Sequence, residues 1–514
     1  MKLRTIVKIA ITSSVVLLCS GFALYSFFRL SAAEGQKDFN LYELVPSTTS
    51  AVFVTDDVLE FVAEVDELTC SKNQQYLYVS KLFSYLKQSL YALSEDTPHG
   101  LSRQMNQMLI SFHEPDNERN QVLYCRLGNG DKELVNRFVR KYISSLYPPK
   151  TFIYKGEEII IYPMADGDFL ACYLTSDFMA LSFQKKLIEN VIDAYKSGKS
   201  LADDSTFTGI RAPKKSAAAA TIYTRMQGMM GWTEFDMKMK DDFIYFSGIT
   251  HDADTCFAFI NQLRQQQSVK GFPGEVLPST AFYFSRQGIT DWVSLLSYGN
   301  AQGQSVPART SEVQNRDKEF SRYLMENAGQ DLVACLFQRE DTLQGAAAVL
   351  SLSVADVTEA ERMLRALVNA APADEGRRNP RITFCYTVNK AYPIYRLPQT
   401  TLFEQLTSFA EPTLDVYAAF YVGRLLLAPD ADALAHYIRQ LDKGEVLNGA
   451  MAYQTCMDHL SDSDHFMLMA DFDHIFQQSE NHVRFVPDFF LRNADFFRHF
   501  TLFVQFACAD GMVY

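Results

Sequence analysis

The chain has 514 residues, of which 47% are hydrophobic and 21% charged, and its net charge is −13. That length exceeds one ordinary domain, and that much apolar material can bury cores. A large nucleic-acid footprint is excluded because it needs a concentrated basic face; the acidity reads as a soluble, self-repelling surface.

The N-terminus carries the most specific local signal. Lys2, Arg4 and Lys8 stand before Ile9–Phe28, IAITSSVVLLCSGFALYSFF, a run without charge. Such a run, if helical, spans about 30 Å, the hydrocarbon thickness of a bilayer. Cations in front of it hold the N-terminus in the cytoplasm and send the remainder out. The expectation is a cytoplasmic tail (1–8), a transmembrane anchor (9–28) and a polar linker (29–41). Two alternatives have their own residues. Ser31-Ala32-Ala33 offers the small residues of a signal-peptide cleavage site. Cys19 is where a lipoprotein would be acylated, although bulky Leu18 precedes it.

Beyond the linker the chain reads VPST (45–48) and then AVFVT (51–55), a β-branched strand. YLYVSKLFSYLKQSLYAL (76–93) has helical spacing; MLISFH (108–113) and QVLYCRL (121–127) read as strands, and KELVNRFVRKYISSL (132–146) as a helix. TFIYK, EIIIYP, FLACYLT and FMALSF continue as strands, and KKLIENVIDAYKSG (185–198) as a helix capped by Gly198. Three further strand-like runs, AAATIYT, EFDMKMK and FIYFSGI, precede a helix expected over Asp252–Gln267.

The same plan then begins again. LPST (277–280) and AFYFS (281–285) repeat VPST and AVFVT; DLVACLF, AAVLSLS and ITFCYTV match MLISFH, QVLYCRL and TFIYK. The stretch 415–449 matches 168–204 as hairpin, helix, Gly and loop, and HFMLMADF (465–472) matches the AAATIYTR run. Eight elements in one order predict two related modules, 42–272 and 273–514, each α+β, with mainly antiparallel sheets and helices on one face. Polar stretches at Ala301–Lys318 and Pro372–Pro380 read as surface loops. ADGMVY (509–514) aligns with KDDFIY (240–245), so the second copy reads as truncated, with Met512–Tyr514 expected to pair antiparallel with the end of TLFVQFA (501–507).

Nine cysteines include no CxxC and no close pair, so neither a zinc nor a thioredoxin-type site is signalled. Sequence-matched positions differ, with Cys385 against Ile153 and Cys335 against Ser111, as core filling by free thiols predicts.

The N-terminal anchor, the PST before a first strand, and repeated strand–helix blocks ending in loops such as LADDSTF (201–207) resemble the Bacteroidetes-type envelope proteins grouped as domain of unknown function 3352. The resemblance implies an export-facing, membrane-associated bacterial envelope protein; with the anchor reading, the expectation is a single-pass inner-membrane protein with its bulk in the periplasm. It carries no catalytic residue to transfer.

Motifs for chemistry are sparse. SGKS (197–200) echoes a phosphate-binding loop, but Asp193 stands where its first Gly belongs and the segment ends a helix. The sequence contains no GxSxG, GxGxxG or HExxH. DHLSDSDHFMLMADFDH (458–474) gathers His459, His465 and His474 with Asp458, Asp462, Asp464, Asp471 and Asp473, a donor set suited to a divalent metal. Strand alternation opposes their convergence, and no metal or other cofactor is expected. In HVRFVPDFFLRNADFFRHF (482–500), Phe489, Phe490, Phe496, Phe497 and Phe500 fit one apolar helical face. That face packs on its own domain or, at Phe489, Phe490, Phe496 and Phe497, meets a partner. The sequence therefore points to a non-enzymatic interaction or scaffold protein held in the inner membrane, with an envelope protein as partner. The alternatives are a carrier or sensor of an apolar ligand between the modules, and a hydrolase without a recognisable motif.

Overall fold

The computed structural model describes residues 39–68 and most of 103–513. Residues 1–38 and 69–102 lie outside the description, as do shorter stretches including 139–146, 251–257, 296–310, 371–379 and 479–485. The anchor (9–28) and the helix read at 76–93 therefore fall outside it. Among the described residues no helix is long and apolar enough to cross a membrane. The fold is α+β, and the described strand pairs are antiparallel.

The described chain falls into two compact units: one reaches Gly209, the other runs from Ile210 onward and takes in Ala63–Leu68. The sequence boundary at 272/273 rests on a different criterion, matched elements rather than compactness.

The first unit contains β1 (Ala51–Thr55), β2 (Met108–Phe112), β3 (Gln121–Arg126), β4 (Lys150–Tyr154), β5 (Glu157–Pro163), β6 (Phe169–Leu174) and β7 (Phe178–Ser182). They lie in the order β4-β5-β6-β7-β3-β2-β1. Helix α1 (Asp131–Phe138) follows β3, and α2 (Lys185–Ser197) follows β7. The apolar positions Leu187, Ile188, Val191 and Ile192 of α2 are buried, and the helix stops at Gly198, whose φ of 63° is a left-handed conformation favoured by glycine.

The second unit opens with the meander β8 (Ala220–Thr224), β9 (Thr233–Lys240) and β10 (Phe243–Thr250), followed by the short β11 (Val269–Lys270). Its large sheet uses β12 (Ala281–Gly288), β13 (Ala328–Gln338), β14 (Ala346–Val354), β15 (Ile382–Tyr386), β16 (Ala391–Pro398), β17 (Asp415–Tyr421) and β18 (Arg424–Ala428). It then adds β20 (Phe466–Asp471) and β21 (Thr501–Phe506) after the short β19 (Ser463–Asp464). The order is β15-β16-β17-β18-β14-β13-β12-β20-β21. Its first seven places repeat, strand for strand, the order of the first unit.

The PST motif has the same task in both. Pro46 bridges Ser200, and Pro278 bridges Val446. Ser47 N–H donates to the Lys199 carbonyl and Leu201 N–H to that of Val45, at 3.3 and 2.9 Å; Ser279 to Glu445 and Leu447 to Leu277 repeat this, both at 2.9 Å. Proline has no N–H to contribute. It fits here because the residues on either side of it carry the bonds.

Three sequence expectations need correction. Helices do not keep to one face of the large sheet. Helix α3 (Ser311–Asn327) and α4 (Val357–Ala370) pack with Leu332, Leu350, Leu352, Ala418 and Leu427, whereas α5 (Ala431–Asp442) packs with Val333, Val349, Ala419 and Leu426. The cause is composition: AAAVLSLS and RLLLA are apolar at consecutive positions, so both faces need cover. The loop expected at Ala301–Lys318 is helical from Ser311 onward. Its buried positions Val313, Asp317, Phe320 and Leu324 follow helical spacing, but a polar exposed face hides the pattern. Buried Asp317 accepts hydrogen bonds from the Thr400 hydroxyl and from both the N–H and hydroxyl of Thr401, at 2.8–2.9 Å.

The third correction is register. The tetrapeptides TFIY (151–154) and TFCY (383–386) match in sequence but present opposite faces. In β4, Phe152 lies under Lys185, and the Tyr154 hydroxyl donates to Asp193, both on α2, while Ile153 is 71% exposed. In β15 it is Cys385 that faces α5, at the Ala435 carbonyl, and it is 1% exposed. A one-residue slip exchanges the two faces of a strand. Cys335 and Ser111, by contrast, are both fully buried.

The chain's last described residues form a hairpin between β22 (Cys508–Ala509) and β23 (Met512–Val513), and Val513 also pairs with Thr250. The antiparallel hairpin is as expected, but its partner is Cys508–Ala509 instead of TLFVQFA.

Candidate functional site

The residues of 458–474 are committed to separate tasks. His459 packs against the rings of Phe243 and Tyr245, at 5.3 and 5.2 Å. Asp464 is fully buried and ion-paired with Arg286. His465 Nδ1 accepts the Cys508 N–H at 3.1 Å, and burial holds its pKa below the usual value. Asp471 caps the short helix Phe472–Phe476 and meets His474 Nδ1 at 2.9 Å. Asp458, Asp462 and Asp473 are exposed. Among the described residues, no three His, Cys, Asp or Glu side chains gather as a metal set.

The phenylalanine run folds onto its own unit where it is described. Phe490 stacks on Phe472 at 4.9 Å and meets Phe497 edge-on at 4.8 Å, and both pack on the core. Phe489 and the side chain of Phe496 lie outside the description. The SGKS segment supplies the helix cap at Gly198 and the bridge at Ser200.

Sequence reading missed one polar group. Ser111 Oγ lies 2.9 Å from His113 Nε2 and 3.1 Å from the Tyr124 hydroxyl. The signal was present as Ser-x-His on a strand, which puts both side chains on one face. Burial lowers the His113 pKa to about 4 and raises that of Tyr124. Ser111 is fully buried, so no substrate reaches its hydroxyl, and the group serves as internal hydrogen bonding.

The described surface offers a different kind of site. β15 ends the large sheet. Arg396 N–H donates to the Arg381 carbonyl at 2.9 Å and Thr387 N–H to the Lys390 carbonyl at 3.0 Å. Backbone groups alternate along an antiparallel strand, so Arg381, Thr383, Cys385 and Thr387 point at β16. Ile382, Phe384 and Tyr386 direct their N–H and C=O groups outward. These residues are 38%, 54% and 71% exposed, and Val388 follows at 98%. No Lys, Arg, Asp or Glu occurs from Ile382 to Asn389. A flat apolar edge is a template for another strand, and proteins ordinarily guard it with charge. The corresponding terminal strand β4 is guarded in that way. It contains Lys150, precedes Lys155, and has Lys185 over Phe152 at 5.1 Å.

Comparison with known protein families, with curated proteins and with solved structures finds no match for this chain.

Proposed function

We propose that the chain is a non-enzymatic interaction protein of a bacterial cell envelope, held in the inner membrane by residues 9–28. In this reading it is built on two related α+β modules and receives a partner at β15 by strand addition. The observation that carries the reading is the uncharged outer edge of β15, where Ile382, Phe384 and Tyr386 leave both backbone and apolar side chains open. Strand addition gains affinity from main-chain bonds and selectivity from alternate side chains. Support for the two-module reading comes from the shared strand order and the paired Pro46 and Pro278 bridges. The anchor reading is supported by the cations before an uncharged run at Ile9–Phe28.

A photo-crosslinking residue at position 384, in the full chain in its own membranes, tests the site. A specific covalent product is expected there and not at Met451, which is 81% exposed on a short helix. Equal yields at both positions would remove β15 from the proposal. Protease added to spheroplasts tests the topology, and protection of the chain beyond residue 41 would overturn it.

A further inference from the structure

We infer that the strand received by β15 is β15 of a second copy of this chain, the two joined antiparallel about a two-fold axis at Phe384. This rests on the interaction reading above and names its partner. The first argument is backbone phase. Across an antiparallel junction, bonds form only between residues whose N–H and C=O groups point at each other. In β15 these are Ile382, Phe384 and Tyr386, as the bonds of Arg381 and Thr387 to the other side require. The strand has five residues and is centred on Phe384. Setting Phe384 opposite its own copy puts Ile382 opposite Tyr386 and Tyr386 opposite Ile382. All three pairs then have matching phase.

The second argument is self-complementarity. A two-fold interface places one patch against itself, so each residue must tolerate its mirror partner. The exposed pattern of β15 is apolar at all three outward positions and reads alike from both ends. The Phe384 and Tyr386 rings already lie 6.3 Å apart on one face. Pairing would add aromatic neighbours from the opposing strand, an arrangement that favours association.

The third argument is charge. The stretch Ile382–Asn389 is uncharged, so self-pairing brings no like charges together. Arg381 would face Thr387 of the second copy, and its guanidinium is already held by the carbonyls of Val368 and Asn369, at 3.4 and 3.2 Å. β4, with Lys150 in the strand and Lys155 directly after it, lacks this compatibility.

The test uses the full chain in membranes and then in detergent. Cα atoms directly opposite in a hydrogen-bonded antiparallel pair are about 5.5 Å apart, within disulfide reach. Mild oxidation of Phe384→Cys should therefore yield a disulfide-linked dimer well above the background from the chain's own cysteines. Val422→Cys, at a turn position that is 81% exposed, should not. In detergent, light scattering should give twice the chain mass for the parent and Phe384→Leu, and one chain mass for Phe384→Asp. A monomeric parent, or Phe384→Cys at background, overturns the self-pairing, as does growth into open-ended oligomers. A photo-crosslink from position 384 to a species of different mass would then leave the interaction reading standing with another partner. No crosslink at all would remove both.

Discussion

Ser111 Oγ on β2 and Nε2 of His113, the residue just past the end of that strand, lie 2.9 Å apart. Burial lowers the His113 pKa from 6.5 to about 4, so the folded state refuses a proton that the unfolded chain accepts. Its contribution to stability is complete above pH 6.5 and falls away as the pH drops toward 4. Each unit of pKa difference corresponds to about 1.4 kcal/mol, so the loss reaches at most about 3.5 kcal/mol. His113→Gln should flatten this part of the curve. Urea midpoints between pH 7 and pH 4.5 for both proteins check it, and parallel curves would remove His113 as the source.

Arg286 and Asp464 form a buried ion pair, 3% and 0% exposed, that joins β12 to β19. Gln505 adds a hydrogen bond to Asp464 at 3.3 Å, and the Gly271 carbonyl accepts from Arg286. Asp464→Leu strands a buried guanidinium and should cost about 3–5 kcal/mol. Arg286→Met together with Asp464→Leu should recover most of that loss, because an apolar pair of similar size needs no desolvation of charge. The comparison of three denaturation curves decides. A double variant as unstable as the single one would show that the pair is worth more than its desolvation.

How much of this was legible in the sequence depended on periodicity. Strands such as AVFVT and MLISF were plain because β-branched and apolar residues cluster between turn residues. The repeated PST was visible, but its bridge to Ser200 or Val446 was not, since nothing local marks a partner about 150 residues away. The helix beginning at Ser311 reads as a loop in sequence because only one narrow stripe of it is apolar. Cys385 lies in the core as its reading predicts, but the match to Ile153 does not carry over, because a sequence match is blind to a one-residue slip, and that slip is what puts Phe384 and Tyr386 outside. The β15 edge was therefore legible as a strand but not as a surface. Edge position is a property of sheet order, which no single segment encodes.

Cysteine reactivity follows burial. Desolvation raises the thiols of Cys125 and Cys172 to about 12, and that of Cys335 also rises. At pH 8 about one in ten thousand such thiols is ionised, and the thiolate is the reacting species. Maleimide labelling followed by peptide mass spectrometry should leave these three unmodified in the native protein and label them fully in denaturant. Native labelling of Cys335, which is on β13 and fully buried on the α5 side of the sheet, would show that the core opens.

The turn between β17 and β18 carries strain that a single substitution should relieve. Val422 and Gly423 have φ of 40° and 75°. Two positive φ values in a two-residue hairpin define the mirror-image turn whose twist matches the strands, with Asn-Gly its preferred sequence. Gly423 accepts this conformation freely, but a β-branched side chain at Val422 crowds its own backbone there. The corresponding geometry at the β4–β5 hairpin uses Lys155 and Gly156, with φ of 49° and 83° and an unbranched side chain. Val422 is 81% exposed, so replacing it forfeits little packing. Val422→Asn should therefore stabilise the protein by about 1 kcal/mol, the usual scale of left-handed strain in a non-glycine residue. Because each turn residue sits beside the Tyr421–Arg424 pair, the gain should appear as slower unfolding of β17 and β18. Amide exchange at Leu425 and Leu426, together with the denaturation midpoint, measures it. An unchanged midpoint with Asn, and a lower one with Val422→Ile, would place the preference in the branched side chain's contacts instead of the backbone.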